Sequence, residues 1–526
     1  LGPDKPVMIL SSNSIEFALL TMAAMQARAP VVPVSPAYSV MSQDHAKLRY
    51  IFELIEPALV FVQNGEIYGR ALAALDLEGV LLVHVDKAPP KMQSLPWTEL
   101  LASHATEAVA QSIEQIEPQT VGKLLFTSGS TDLPKAVINT QEMMCANIAM
   151  MQMTRTRSVD EPSPVVLDWL PWNHTMGGNA TFHMTLAEGG TAYIDDGKPL
   201  PGLFEETLRN LREISPTSFA NVPAGYAMLA TALEKDEALA RNFFKNLGSL
   251  GYGGATLPSD LFDRMEALAV KYTGYRLPFT TGWGATETAP TATTVHWASE
   301  RVGLIGLPFP GVQLKLVPTG EEGRYEIRLK SVIVTPGYFR RPDLTAKMLD
   351  EEGFYKIGDA GRFVDPADPS WGLVFDGRVV EDFKLLSGTF VLVGTLRASA
   401  IAAASPVLQD AVICGQDRAY VGLLGFPNIA ACRQLAGEAG AKLSAEELLA
   451  HPTVVDTVRN GLAHMNRETK GSSARIKRAI LMREPPSVDA SEITEKGYIN
   501  QRATLERRKA LVEKLYAGGE GVIEVE

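Results

Sequence analysis

The chain has 526 residues, 46% hydrophobic and 21% charged, which is ordinary globular composition and enough length for two or more domains. A formal charge of −12 argues against a nucleic acid or an anionic membrane surface as partner. No apolar run approaches membrane-spanning length and no basic-then-apolar leader opens the chain; Cys145, Cys414 and Cys432, without a CxxC, predict a reduced cytoplasmic protein with three buried thiols.

Residues 7–10 (VMIL) read as a strand, 14–29 as a helix, 31–34 as a strand, 43–56 as a helix, 58–62 as a strand, 66–75 as a helix and 80–85 as a strand. Apolar strands alternating with amphipathic helices predict an α/β fold of parallel-rich sheets with helices on both faces. The acidic end, residues 520–526, is expected to fray.

Residues 124–137 read LLFTSGSTDLPKAV. After a short apolar strand come Thr127, Ser128, Gly129, Ser130 and Thr131, then Pro134 and Lys135. Glycine lets backbone N–H groups approach phosphate oxygens, hydroxyls donate further hydrogen bonds, and lysine brings a compact positive charge. This is not a Walker A loop, because GxxxxGK[ST] does not occur. Farther along stand VLDWLPWNHTMGGNA at 166–180, SLGYGGATLP at 249–258, GWGATET at 282–288, KIGDAGR at 356–362, DGRVVEDFK at 376–384 and PPSVDASEITEKGYINQRA at 485–503.

In order and spacing these segments resemble the adenylate-forming superfamily, which includes acyl-CoA synthetases, peptide-synthetase adenylation domains and luciferases. The resemblance covers nearly the whole chain. It implies a large N-terminal domain (residues 1–379, preceded in the native protein by a further segment) and a small mobile α+β domain (380–526) beyond a hinge at 380–382. It also implies ATP, Mg2+ and the cosubstrate CoA. Residues 127–131 with Lys135 and Thr286 would then face the phosphates, and Glu287 the metal. Trp283 would stack on adenine, with Gly253, Gly254 and Ala255 beneath the adenine and the acyl group. Asp359 and Arg378 would face the ribose, His174 the acyl carboxylate, and Lys496 would be the adenylation lysine. The chemistry agrees: a hard cation wants a carboxylate, a purine an apolar face, and vicinal hydroxyls an acidic acceptor.

The wording at 166–180 and 485–503 resembles bacterial feruloyl-CoA synthetases, which implies a small aromatic acid of the hydroxycinnamate type. Phe219, Tyr252 and Thr281 read either as pocket walls or as ordinary core. Two positions depart from the family pattern: Asp132 stands where the loop has a second glycine, and Lys496 precedes Gly497 while Tyr498 takes the usual lysine place. Loading of a carrier protein, and a nucleotide-binding homologue with impaired catalysis, stay open as alternatives. So does a homodimer.

Overall fold

The computed structural model describes the chain except residues 128–132, 156–162, 201, 255, 256, 300, 470, 495–498 and 526. Two compact units emerge. Leu1–Thr127, Leu133–Ile357 and Arg362–Phe375 make the first; Gly358–Gly361 and Asp376–Glu526 belong to the second.

The seven-stranded sheet runs Leu95–Pro96, Leu81–Asp86, Leu59–Asn64, Val7–Leu10, Val31–Pro33, Val121–Thr127, Lys135–Thr140. Its neighbours are parallel except for the final pair, an antiparallel hairpin in which Thr127 faces Lys135. Val7, Met8, Ile9 and Leu10 are all fully buried, which is why that strand reads as an unbroken apolar run. The helix Ile15–Gln26 starts where the Ser14 hydroxyl accepts from the Phe17 N–H, and it packs Phe17, Leu20 and Ala24 against Val7 and Ile9.

Helix was expected over 66–75, but only the turn Gly69–Leu72 forms. The Asn64 carboxamide oxygen accepts from the N–H groups of Glu66 and Ile67, drawing the chain into a turn, and Gly69 is a poor helix former.

A second sheet has nine strands: Ser218–Asn221, Ser249–Tyr252, Phe279–Gly284, Thr291–Val295, Leu304–Pro308, Leu373–Arg378, Tyr355–Phe363, Tyr325–Lys330, Gln313–Pro318. The first three are parallel, and Asn221 and Tyr252 sit side by side at their carboxyl ends. Of the two readings open for Phe219 and Tyr252, the structure shows the core. Both belong to the apolar core, Phe219 edge-on to Tyr226 and Phe243, Tyr252 edge-on to Phe279.

The second unit carries a four-stranded sheet, Leu408–Cys414, Val421–Pro427, Ile476–Leu481, Ile523–Glu524. Alternation fills both faces: Ala411, Ile413 and Leu423 join one apolar cluster with Leu396, Val458 and Leu462, while Val412, Cys414 and Leu424 join another with Leu515. The acidic tail is not frayed. Ile523–Glu524 pairs with Ile476–Leu481, Arg478 Nε donates to Glu524 Oε2 at 3.0 Å, and Val525 is buried. Cys414 and Cys432 are buried as expected, but Cys145 is exposed, on the outward side of the helix Gln141–Met153. No described helix is long and apolar enough to cross a membrane.

Candidate functional site

Two residues of the first unit, Lys135 and Glu287, converge on one phenol, that of Tyr338. Lys135 opens the strand Lys135–Thr140, and its Nζ stands 5.4 Å from the centroid of the Tyr338 ring. The Tyr338 hydroxyl donates to Glu287 Oε1 at 2.9 Å. Backbone pairing fixes the tyrosine: Ile138 N–H donates to Gly337 O, Phe339 N–H donates to Ala136 O, and Val137 bridges Tyr338, so the segment lies along the lysine's own strand. Glu287 sits in the short 3-10 turn Thr286–Thr288, 8% exposed, and its carbonyl accepts from Thr335 N–H at 2.8 Å. Burial, then the Glu287 carboxylate, raises the Tyr338 phenol far above its ordinary value, so it remains a donor at any physiological pH.

This donor set fits a hard divalent cation. One glutamate oxygen is oriented by Tyr338, and Mg2+ takes one or two carboxylates while drawing its other ligands from phosphates and water. Among the described residues no three His, Cys, Asp or Glu gather into a cage, so such an ion would depend on the nucleotide.

His174 precedes the π-helical turn Met176–Thr181. Its Nδ1 accepts from the Met176 N–H at 3.2 Å, which places the proton of the neutral ring on Nε2. The turn packs closely because it carries two glycines. A Cβ on Gly177 would stand 2.4 Å from Leu170 O, and one on Gly178 2.4 Å from Trp172 O. Met176 in turn lies over Gly253, its Cε 3.0 Å from where a Cβ would be, and Gly254 has φ +85. The glycine turn thus meets the His174 segment.

Trp283 is 6% exposed and packs in an apolar cluster with Val137, Ile305 and Phe309. Thr286 is buried beside Glu287. Thr127 ends its strand opposite Lys135. In the second unit, Arg378 Nε donates to Asp359 Oδ1 at 3.0 Å, bringing the two candidate ribose residues together with half of the arginine open to solvent. Burial pushes the nearby Glu381 carboxyl up, against the pull of Arg378 and Arg397.

Ser128, Gly129, Ser130, Thr131, Asp132, Ala255 and Lys496 lie outside the described residues. The flanks of Lys496 are well anchored: Ile493 bridges Ile499, and the fully buried Glu492 carboxylate accepts from Arg508 Nε at 2.6 Å. Sequence reasoning missed Tyr338, which nothing in periodicity marks. It also passed over Lys123, although a lysine within the apolar strand VGKLLFT was a visible signal.

The fold and this arrangement define an adenylate-forming enzyme, with a large α/β domain and a smaller C-terminal domain. The chain belongs to the AMP-binding enzyme family: residues 1–339 match the family itself and 395–520 its C-terminal domain. It is similar to a carboxylic acid reductase of Mycobacterium tuberculosis, 25% identical over 473 residues, covering 80% of this chain and 37% of that protein. The chain therefore spans well under half the length of that relative. A 4-coumarate–CoA ligase-like protein of Arabidopsis thaliana is 24% identical over 369 residues, covering 68% of this chain and 60% of that one. In structure it resembles the adenylation domain of a carboxylate reductase from Mycobacterium chelonae, with a TM-score of 0.73, 23% identity, and coverage of 98% of this chain and 81% of that one.

Proposed function

We propose that this chain activates a planar aromatic acid of the hydroxycinnamate type, such as ferulate, as acyl-AMP and passes the acyl group to the thiol of CoA. One observation carries adenylation: Lys135 Nζ lies over the Tyr338 ring while the Glu287 carboxylate accepts from its hydroxyl, a cation and an anion brought to one tyrosine and suited to a metal-bound triphosphate. The wording of residues 166–180 and 485–503 supports the aromatic acid, and the likeness to the 4-coumarate–CoA ligase-like protein supports the thiol.

In the first step a carboxylate oxygen of the acid attacks the α-phosphorus, and the bond to the departing pyrophosphate breaks. In the second the CoA thiolate attacks the acyl carbon and AMP leaves. Neither step needs a covalent enzyme intermediate, so positioning and charge neutralisation supply the catalysis. Thr127, Ser128, Gly129, Ser130, Thr131 and Thr286 donate to phosphates, while Lys135 and Lys496 offset developing negative charge. Gly253, Gly254, Ala255 and Trp283 form the adenine and acyl seat, Asp359 and Arg378 hold the ribose, and His174 lies at the acyl carboxylate. Glu287 would hold Mg2+, whose contribution when bound is to neutralise phosphate charge. Residues 1–379 act as the adenylating body, and 380–526 as the part that moves between the two steps.

The test incubates the protein with MgATP, CoA and, separately, ferulate, p-coumarate, caffeate, benzoate and a medium-chain fatty acid. Thioester absorbance with AMP production is expected for the hydroxycinnamates. ADP as product, or activity confined to the fatty acid, contradicts the proposal. The likeness in fold to an A-PCP didomain of a carboxylic acid reductase from Segniliparus rugosus, with a TM-score of 0.69, favours a second reading, transfer to a carrier-bound thiol. Its signature is acid-dependent pyrophosphate exchange without formation of a CoA thioester.

A further inference from the structure

Lys123 lies in the strand Val121–Thr127, 3% exposed, directly opposite Asn139 on the neighbouring strand of the hairpin. Its Nζ donates to Gly178 O at 2.9 Å and to Asn179 Oδ1 at 3.1 Å. Asn179 Nδ2 donates back to Asn139 Oδ1 at 2.9 Å and to Thr175 Oγ1 at 3.2 Å. Both strands that flank residues 128–132 therefore reach one turn, Met176–Thr181, whose other end presses Met176 onto Gly253.

An apolar side chain would fill this site without desolvating a charge, so the lysine is explained by what it holds. Burial pushes its ammonium down to about 7. Burial, then the charge of Lys123, likewise holds the His183 imidazole well below its ordinary value. The contacts themselves are made by N–H groups to a carbonyl and a carboxamide oxygen, and a neutral amine, which keeps two N–H donors, still makes both.

We infer that Lys123 is a positioning residue that ties the hairpin on the nucleotide side to the turn seating Met176 against Gly253, and so sets how deeply the acyl group of the acid enters. The inference rests on the proposed acid-activating function.

The test compares Lys123→Met, which keeps the length and removes the donors, with the parent in acid-dependent pyrophosphate exchange. The Michaelis constant for the acid should rise about tenfold, the equivalent of one to two net hydrogen bonds, while that for MgATP stays within about threefold. Amide hydrogen exchange over residues 174–181 should quicken. Met176→Ala, which leaves the lysine link intact and removes only the contact at Gly253, should raise the same constant; it also keeps the test decisive should Lys123→Met fold poorly. Lower stability of Lys123→Met with an unchanged constant for the acid, an equal rise for MgATP, or an unaffected acid constant in Met176→Ala overturns the inference. Absence of exchange in the parent with every acid would mark failure of the functional proposal instead. Amide protection then decides the link alone, and unchanged protection in Lys123→Met refutes it.

Discussion

Asparagine in place of Asp168 keeps the side-chain shape while abolishing its ionisation, and that isolates one buried charge. Asp168 ends the strand Val165–Asp168, and its Oδ1 accepts from Leu170 N–H at 3.0 Å. Burial, and secondarily the charge of Asp195, pushes its carboxyl up from 3.8 to about 7. The folded state therefore keeps a proton that the unfolded chain releases between those values. This contribution to stability is complete below pH 3.8 and is lost as pH rises through about 7.

Each pH unit of that window is worth about 1.4 kcal/mol, so the whole change has a ceiling of about 4 kcal/mol. The buried neutral His183 pushes stability the opposite way over part of the range, but it is common to both proteins and cancels in the difference. All six tryptophans, Trp97, Trp169, Trp172, Trp283, Trp297 and Trp371, fall in the first unit, so their fluorescence during denaturant unfolding reports on the unit holding Asp168. Stability of Asp168→Asn minus that of the parent should climb from pH 4 to pH 7 and then level off. A difference that stays flat across this range would refute the claim that Asp168 is buried with an elevated pKa.

Tyr338→Phe removes the hydroxyl that orients Glu287, a charge-assisted bond worth about 1.5–3 kcal/mol, and the Mg2+ needed for half-maximal pyrophosphate exchange should rise about tenfold. An unchanged Mg2+ titration would remove the metal role from Glu287. Gly178→Ala drives a Cβ to 2.4 Å from Trp172 O and should destabilise the first unit by about 1–3 kcal/mol in tryptophan-monitored unfolding. An unaltered midpoint would show that the turn yields. Lys496→Ala should slow adenylate formation by about 3 kcal/mol of barrier, the scale of one oriented charge donor, while sparing thioester formation from supplied acyl-AMP. Undiminished adenylation would shift attention to Tyr498.

Alternating strands and helices announced the first sheet well, because Val7–Leu10 and Leu59–Asn64 are buried where the apolar runs lie. The segments singled out for chemistry also fall together in part: Lys135 and Glu287 meet at Tyr338, and Asp359 meets Arg378. What stayed hidden depends on contacts distant in sequence. Tyr338 is placed by pairing with a strand two hundred residues earlier, and Lys123 acquires its role from Asn179 and Asn139. Phe219 and Tyr252 stayed ambiguous between pocket and core for a related reason: residues near the carboxyl ends of parallel strands can face a helix layer as readily as a ligand. The tail gained order at 523–525 from one edge pairing and one arginine, which composition alone does not disclose.

The discontinuity of the second unit bears on how the protein can be divided. A fragment beginning at Asp376 would carry Arg378 but leave behind Gly358–Gly361, and with them the Asp359 carboxylate that receives the arginine. The complementary fragment ending at Phe375 would keep Asp359 and lose its cation. No single cut therefore yields two parts that each retain their own contacts. A cut before Gly358 would keep the ion pair but carry Arg362–Phe375 away from the first unit, so measurements on isolated halves would report on contacts broken by the scissors rather than on either half as it stands in the whole chain.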